Sequence, residues 1–232
     1  MIYSAIEEII GNTPLLRIDA SRYGIEHTDI FVKLEYLNPF GSIKDRTANA
    51  LLESVETSGV EHVIESSSGN TAKALQLLGK RQGLNLTSVT NRIKIPEVEQ
   101  FLRYIQTDIV ALPGRSECPD PNDADNALNT IDRLCRENPG KYVHTSQYSN
   151  RANTHIHATT TAQELYEDLP HIDTIVTGVG TGGSSGGLIE FAQKYDKSTK
   201  HIGVVANPSD FLPGIRTQNE LFETELFRAE QF

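Results

Sequence analysis

Short apolar runs alternate along this chain with longer stretches whose apolar residues recur every three or four positions. The runs at 30–34, 62–64, 86–90, 109–112, 142–145, 174–176 and 201–206 predict β-strands. The stretches at 43–55, 71–80, 96–105, 123–136, 159–167 and 187–194 predict helices. In the first of these, Ile43, Ala48, Leu51, Leu52 and Val55 fall close to helical spacing. Strict alternation of strand and helix predicts an α/β fold, with largely parallel sheet covered by helices. No internal repeat or low-complexity stretch interrupts the pattern.

Composition narrows the classes. With 232 residues, 38% of them hydrophobic and 22% charged, the chain can bury one large core or two small ones. The formal charge of −10 comes without a basic cluster, so nucleic acid is not an expected partner. No apolar run approaches membrane-spanning length, and the start, Met1-Ile2-Tyr3-Ser4-Ala5-Ile6-Glu7-Glu8, has no basic leader segment. Two cysteines, Cys118 and Cys135, make no metal spacing and suit a reducing, cytoplasmic setting. Cys118, in the polar turn 117–122, reads as a bystander thiol. No metal site is expected.

Three segments carry candidate chemistry. Lys44 stands just inside a predicted helix, after the turn Asn38-Pro39-Phe40-Gly41. A helix start disfavours a cation, and a lysine whose proton affinity is lowered can act as an amine nucleophile and form a Schiff base. The plain alternative is a solvated lysine between Asp45 and Arg46. Next, Glu65-Ser66-Ser67-Ser68-Gly69-Asn70-Thr71-Ala72 joins a strand to a helix. Its hydroxyls and backbone N–H groups can hold a carboxylate; a helix cap would use only one such residue. Last, Val176-Thr177-Gly178-Val179-Gly180-Thr181-Gly182-Gly183-Ser184-Ser185-Gly186-Gly187 joins another strand to another helix. Glycines let backbone curl round an anion at a helix start. The segment also fits G-x-G-x-x-G loosely, so a dinucleotide site stands as an alternative. That fingerprint belongs to the first strand of its domain, and this segment comes late.

Taken in order, Gly11-Asn12-Thr13-Pro14-Leu15, Asn38-Pro39-x-Gly41-Ser42-x-Lys44-Asp45-Arg46, Ser68-Gly69-Asn70-Thr71, Ser146-Gln147-Tyr148 and Gly180-Thr181-Gly182-Gly183 resemble the cysteine synthase family. That family includes O-acetylserine sulfhydrylase and cystathionine β-synthase. The resemblance covers essentially the whole chain. It implies a pyridoxal 5′-phosphate enzyme of fold type II, with two three-layer αβα domains of largely parallel sheet. Residues 1–36 and 147–232 would form the large domain, and 37–146 a small, mobile, substrate-binding one. By the same resemblance Lys44 is the lysine that holds the cofactor and then takes the substrate Cα proton. Asn70 faces the cofactor's 3′-oxygen, and Gly180, Thr181, Gly182, Gly183 and Ser184 form the phosphate cup. Ser67, Ser68, Gly69, Thr71 and Gln147 hold the substrate carboxylate.

The implied reaction is β-replacement on an activated L-serine, through an α-aminoacrylate, with a small nucleophile such as sulfide. Its product is L-cysteine or a related β-substituted alanine, and a homodimer is expected. Alternatives are a β-eliminating lyase or dehydratase of the same fold, and a non-catalytic paralogue that binds a ligand. Arg216 falls where O-acetylserine enzymes carry a glycine-rich segment, and a guanidinium there suits a phosphorylated leaving group. Arg151, which replaces a proline common in the family, is a weaker candidate for the same task. The family continues for several dozen residues beyond the point matching Phe232, including the serine facing the pyridine nitrogen. The expectation is that segments are omitted from this sequence rather than that the protein is a truncated paralogue.

Overall fold

The structure, a computed structural model, describes residues 1–90, 93, 95–113, 126–208, 210 and 212–232. The chain opens with β1 (Leu15–Ile18), paired antiparallel with β2 (Ile30–Lys33). Helix α1 (Lys44–Ser54) follows the turn at Asn38, where the Gly41 N–H donates to the Asn38 carbonyl at 2.8 Å and Gly41 takes a φ of +86°. Then come β3 (His62–Glu65), α2 (Asn70–Arg81), β4 (Asn85–Thr90), α3 (Pro96–Tyr104), β5 (Asp108–Ala111), α4 (Ala127–Glu137) and β6 (Tyr142–His144).

Strands β3 to β6 form one parallel sheet in the order β5-β4-β3-β6. Adjacent strand residues point to opposite faces, and the cores follow that rule. Val63 and Leu86 join Leu52, Leu75, Leu78 and Leu102 under α1, α2 and α3. Ile64 and Val89 join Ala127 and Ile131 under α4. The result is the expected three-layer αβα arrangement. Each leucine buried this way contributes about 1.5–3 kcal/mol.

The second half runs from α5 (Ala152–Ile156) through a π turn (His157–Thr161) into α6 (Ala162–Asp168). It then forms β7 (Thr174–Gly178), α7 (Gly183–Tyr195) and β8 (Lys200–Val204), with β7 and β8 parallel. Ala162, Tyr166, Ile175, Leu188 and Ala192 make its core. On the opposite face of this sheet the register partners Val176 and Ile202 stand exposed.

Every strand and helix expected from the pattern has a counterpart among the described residues; positions 123–125 of the fourth helix, and Cys118, lie outside them. Two elements were not expected. Strand β1 is partly exposed on both faces, so it shows no alternation. Helix α5 is buried through Asn153 and Thr154 rather than through apolar residues, so it shows no apolar period. Helix α7 begins at Gly183, four residues before the predicted start, because its first turn is glycine and serine.

Candidate active site

The order β5-β4-β3-β6 places a topological switch beside β3, since the chain leaves β3 towards β4 on one side and β6 returns on the other. Ligands of open parallel sheets bind outside the carboxyl ends of the strands at such a point. The segments that follow β3 and β6, 66–71 and 146–148, meet there in the wall of a cleft of about 1050 Å³.

Lys44 is the first residue of α1 and lines this cleft. It is not a solvated lysine between two exposed charges: Asp45 and Arg46 are fully buried and Lys44 is half-buried. Asp45 accepts from the Phe40 N–H at 2.5 Å, which fastens the turn to the helix. Arg46 is committed to Glu35 and Glu164. Among the described residues the Lys44 ammonium has neither a hydrogen bond nor an ion pair. Burial, with the positive charge of Arg216 second, brings its pKa from 10.5 down to about 8. A substantial fraction of neutral amine near physiological pH is the requirement for a lysine nucleophile or base.

The 66–71 segment divides its labour. The Ser67 hydroxyl accepts from the Ala72 N–H at 3.1 Å and so caps α2. Thr71, buried, donates to the Gln147 side-chain carbonyl at 3.0 Å, and the Gln147 amide donates to the Ser66 carbonyl at 2.7 Å. Ser68 and Asn70 line the cleft with side chains that make no hydrogen bond among the described residues. Beneath them Glu65 is fully buried; it accepts from Thr145 at 2.6 Å, from the Gln147 N–H at 3.0 Å and from the Ser66 N–H at 2.9 Å. Sequence reasoning places Glu65 at the head of this segment but gives it no role; its signal is a carboxylate directly after the apolar pair Val63-Ile64.

The glycine-rich segment leads from β7 into α7, which begins without a side-chain cap. Its first N–H groups have no intrahelical acceptor, and Gly180, Thr181 and Ser184 stand at the cleft wall. A methyl group at Gly180 would lie 2.5 Å from the Gly214 carbonyl oxygen. Gly182 and Gly183 do not line the cleft; both are buried behind it. Gly182 has a φ of +84° and packs on Phe227, while a methyl group at Gly183 would lie 2.2 Å from the Asn153 amide. Part of the glycine content therefore serves close packing rather than a ligand.

Asn153 was missed. It is fully buried, donating to the Gln147 carbonyl at 2.8 Å and to the Thr181 hydroxyl at 2.9 Å, and accepting from Thr47 at 3.1 Å. Its signal in the sequence is the polar series Asn153, His157 and Thr161 at steps of four, a polar stripe along one helical face. Arg216 does reach the cleft; it donates to the Tyr148 hydroxyl at 2.7 Å and stacks over that ring at 4.9 Å. Arg151 does not; it pairs with Glu190 at the surface.

The structure thus brings Lys44, Ser67, Ser68, Gly69, Asn70, Thr71, Gln147, Gly180, Thr181, Ser184 and Arg216 onto one cleft. The donor set suits a phosphate-bearing aldehyde. It offers an amine of lowered proton affinity, a free amide at Asn70, and an uncapped helix start with hydroxyls and no basic side chain in its loop. Those residues fit pyridoxal phosphate. Among the described residues no cluster of metal ligands forms, and no helix is long and apolar enough to cross a membrane.

Residues 6–228 match the family described as pyridoxal-phosphate dependent enzyme. A cysteine synthase of Flavobacterium sp. is 34% identical over 212 residues, which are 89% of this chain and 66% of the relative. The chain therefore spans just under two thirds of that curated relative's length. Among solved structures, a hydrogen sulfide-producing enzyme from Fusobacterium nucleatum shares the fold, with a TM-score of 0.83 and 24% identity over 100% of this chain and 78% of that one. An O-acetylserine dependent cystathionine beta-synthase from Helicobacter pylori superposes with a TM-score of 0.78 and 25% identity, covering 94% of this chain and 70% of that one.

Proposed function

Because the chain belongs to the pyridoxal-phosphate dependent enzyme family, we propose that it catalyses β-replacement on an activated L-serine, O-acetyl- or O-phospho-L-serine. The product is L-cysteine or a related β-substituted alanine. The observation that carries this reading is the meeting of Lys44, the 67–71 segment and the uncapped start of α7 on one cleft. Its likeness to a cysteine synthase supports the same reaction class.

Pyridoxal phosphate, when bound, supplies the electron sink for negative charge at the substrate Cα. Lys44, Asn70, Gly180, Thr181 and Ser184 hold it, while Gly182 and Gly183 pack behind the loop. Ser67, Ser68, Gly69, Thr71 and Gln147 take the substrate carboxylate at the start of α2, where backbone N–H groups favour an anion. Lys44 Nζ, as the neutral amine, accepts the proton from Cα and returns it after the nucleophile has added at Cβ. Arg216 faces the departing group across the cleft and favours an anionic one. In this reading 1–36 and 147–232 form the cofactor-holding domain and 37–146 the substrate-binding one, a division supported by the separate four-stranded sheet. A cytoplasmic homodimer goes with it, on the strength of the family likeness.

The test supplies the protein with pyridoxal phosphate and then with O-acetylserine or O-phosphoserine, with and without sulfide. The expected results are a visible absorption band from cofactor attached at Lys44, a shift of that band with one of the two substrates, and cysteine formed only when sulfide is present. Pyruvate released equally with and without sulfide would replace this reading by an eliminating lyase. A bound cofactor that responds to neither serine would discard both substrates.

A further inference from the structure

The hydrogen bonds behind the glycine segment have only one consistent direction. The Gln147 carbonyl can only accept, so the Asn153 atom 2.8 Å from it is the amide nitrogen. That nitrogen's other proton goes to the Thr181 hydroxyl at 2.9 Å. Asn153 Oδ1 then accepts from Thr47 Oγ1 at 3.1 Å, which spends the single Thr47 proton. Thr47 must in turn accept from His157 Nε2, 3.1 Å away. His157 Nδ1 therefore accepts from Thr161 at 2.9 Å, and the imidazole carries its proton on Nε2. Every member of the chain from Thr161 to Thr181 is nine-tenths buried or more.

At its end Thr181 Oγ1 receives the Asn153 N–H and, at 3.4 Å, the Gly183 N–H. With both lone pairs engaged, the hydroxyl can only donate onward, and among the described residues nothing accepts its proton. A buried hydroxyl without an acceptor is costly, and Thr181 lines the cleft. The cleft is the side from which a bound group supplies that acceptor. Glycine at 183 is part of the device, since any side chain there would occupy the space of the Asn153 amide.

We propose that Asn153, oriented through Thr47 and His157, is a positioning residue that fixes the Thr181 hydroxyl as a donor to the phosphate group of the cofactor. The inference rests on the proposed cofactor site. It adds that the phosphate is held by a hydroxyl whose direction is set from α1 and the π turn, outside the loop itself.

The experiment titrates the protein with pyridoxal phosphate and with pyridoxal, which lacks the phosphate, and takes the ratio of the two dissociation constants. Asn153→Leu is expected to reduce the preference for the phosphorylated form about 10-fold, the scale of a hydrogen bond to a charged group, while leaving pyridoxal binding nearly as before. Thr181→Val should produce the same loss, Thr181→Ser should restore the preference, and Asn153→Leu should add nothing in the Thr181→Val background. Equal weakening of both ligands by Asn153→Leu would overturn the proposal and leave Asn153 a packing residue. Should circular dichroism show Asn153→Leu unfolded, Asn153→Asp decides. A carboxylate there offers Thr181 an acceptor in place of the amide donor, so the Thr181 proton turns away from the cleft and the preference should fall; an unchanged ratio would overturn the proposal. An unaltered protein that binds neither ligand would overturn the cofactor site, and this inference with it.

Discussion

Arg46 and Thr47 are neighbours on α1, yet they anchor two buried clusters of opposite kind. Arg46, fully buried, lies 2.9 Å from Glu35 and 2.5 Å from Glu164, and Lys33 closes the group 2.8 Å from Glu164. Two positive and two negative charges balance there, and Thr13 and the Asn12 N–H join through hydrogen bonds. The Thr47 cluster, with Asn153, His157, Thr161 and Thr181, carries no balancing charges and is held by single hydrogen bonds. The ionic cluster ties β2, α1 and α6 together by charge, which has no direction to transmit. The neutral one has a direction and delivers it to the cleft. Arg46 accordingly reads as a fastening for the helix that presents Lys44, and Thr47 as part of the setting of the site.

The largest expected difference between them is in stability. Arg46→Leu leaves Glu35 without its cation and Glu164 with Lys33 alone, and removing one partner of a buried ion pair costs about 3–5 kcal/mol. Thr47→Val leaves one hydrogen bond unmade on each side, for about 1–3 kcal/mol. Urea unfolding of the two variants measures both. Equal losses would erase the distinction between a charged fastening and a neutral chain.

A smaller effect separates the clusters by pH. Burial opposes ionisation of Glu164, but hydrogen bonds from Arg46 and Lys33 overcome it and hold its pKa at about 2 instead of 4.5. Its stabilising contribution is complete above pH 4.5 and is lost as the pH falls towards 2. His157 also has a lowered pKa, about 3 instead of 6.5, through burial first and the charges of Lys44 and Arg46 second. Between those values the unfolded chain binds a proton that the folded one does not, so the loss starts at about pH 6.5 and runs down towards 3. Unfolding midpoints of the unaltered protein against His157→Gln should differ by a constant amount above pH 6.5 and converge below it. Against Glu164→Gln the convergence should begin only below 4.5. Convergence in the same window for both variants would break the contrast.

Most of the framework was legible because apolar period reports burial. Strands β3, β4 and β7 and helices α1, α2, α4, α6 and α7 bury apolar residues on the faces their periods mark. The segments at Lys44, Ser67 and Gly180 were legible as chemistry because a cation is a poor choice at a helix start and because the other two hold more hydroxyls and glycines than one cap or turn uses. Helix α5 was not legible, since it is buried through Asn153 and Thr154, with His157 following in the π turn, and a polar series looks solvent-facing until its partners are known. The role of Glu65 was hidden for the same reason. The glycines of 180–187 were read by one function and serve two. Gly183 and Gly187 admit Asn153, His157 and the α5 backbone at distances no side chain would allow, a demand set by contacts from 30 residues away.

The smallest expected effect concerns Lys44 itself, which both clusters flank. Its amine attacks an aldehyde only when neutral, and its pKa of about 8 makes the neutral fraction rise with pH through that value. The rate of cofactor capture by cofactor-free protein should therefore climb through about pH 8. Burial is the main cause of that value and the positive charge of Arg216 the second. Arg216→Ala removes only the second, so the midpoint should move up without reaching that of a free lysine. The same variant should lose selectivity between O-phosphoserine and O-acetylserine, because in the proposed reading the guanidinium stacked on Tyr148 faces the leaving group. A midpoint that stays in place while selectivity falls would separate the two roles and leave burial as the sole cause of the shift. A midpoint that moves with selectivity intact would confine Arg216 to tuning Lys44.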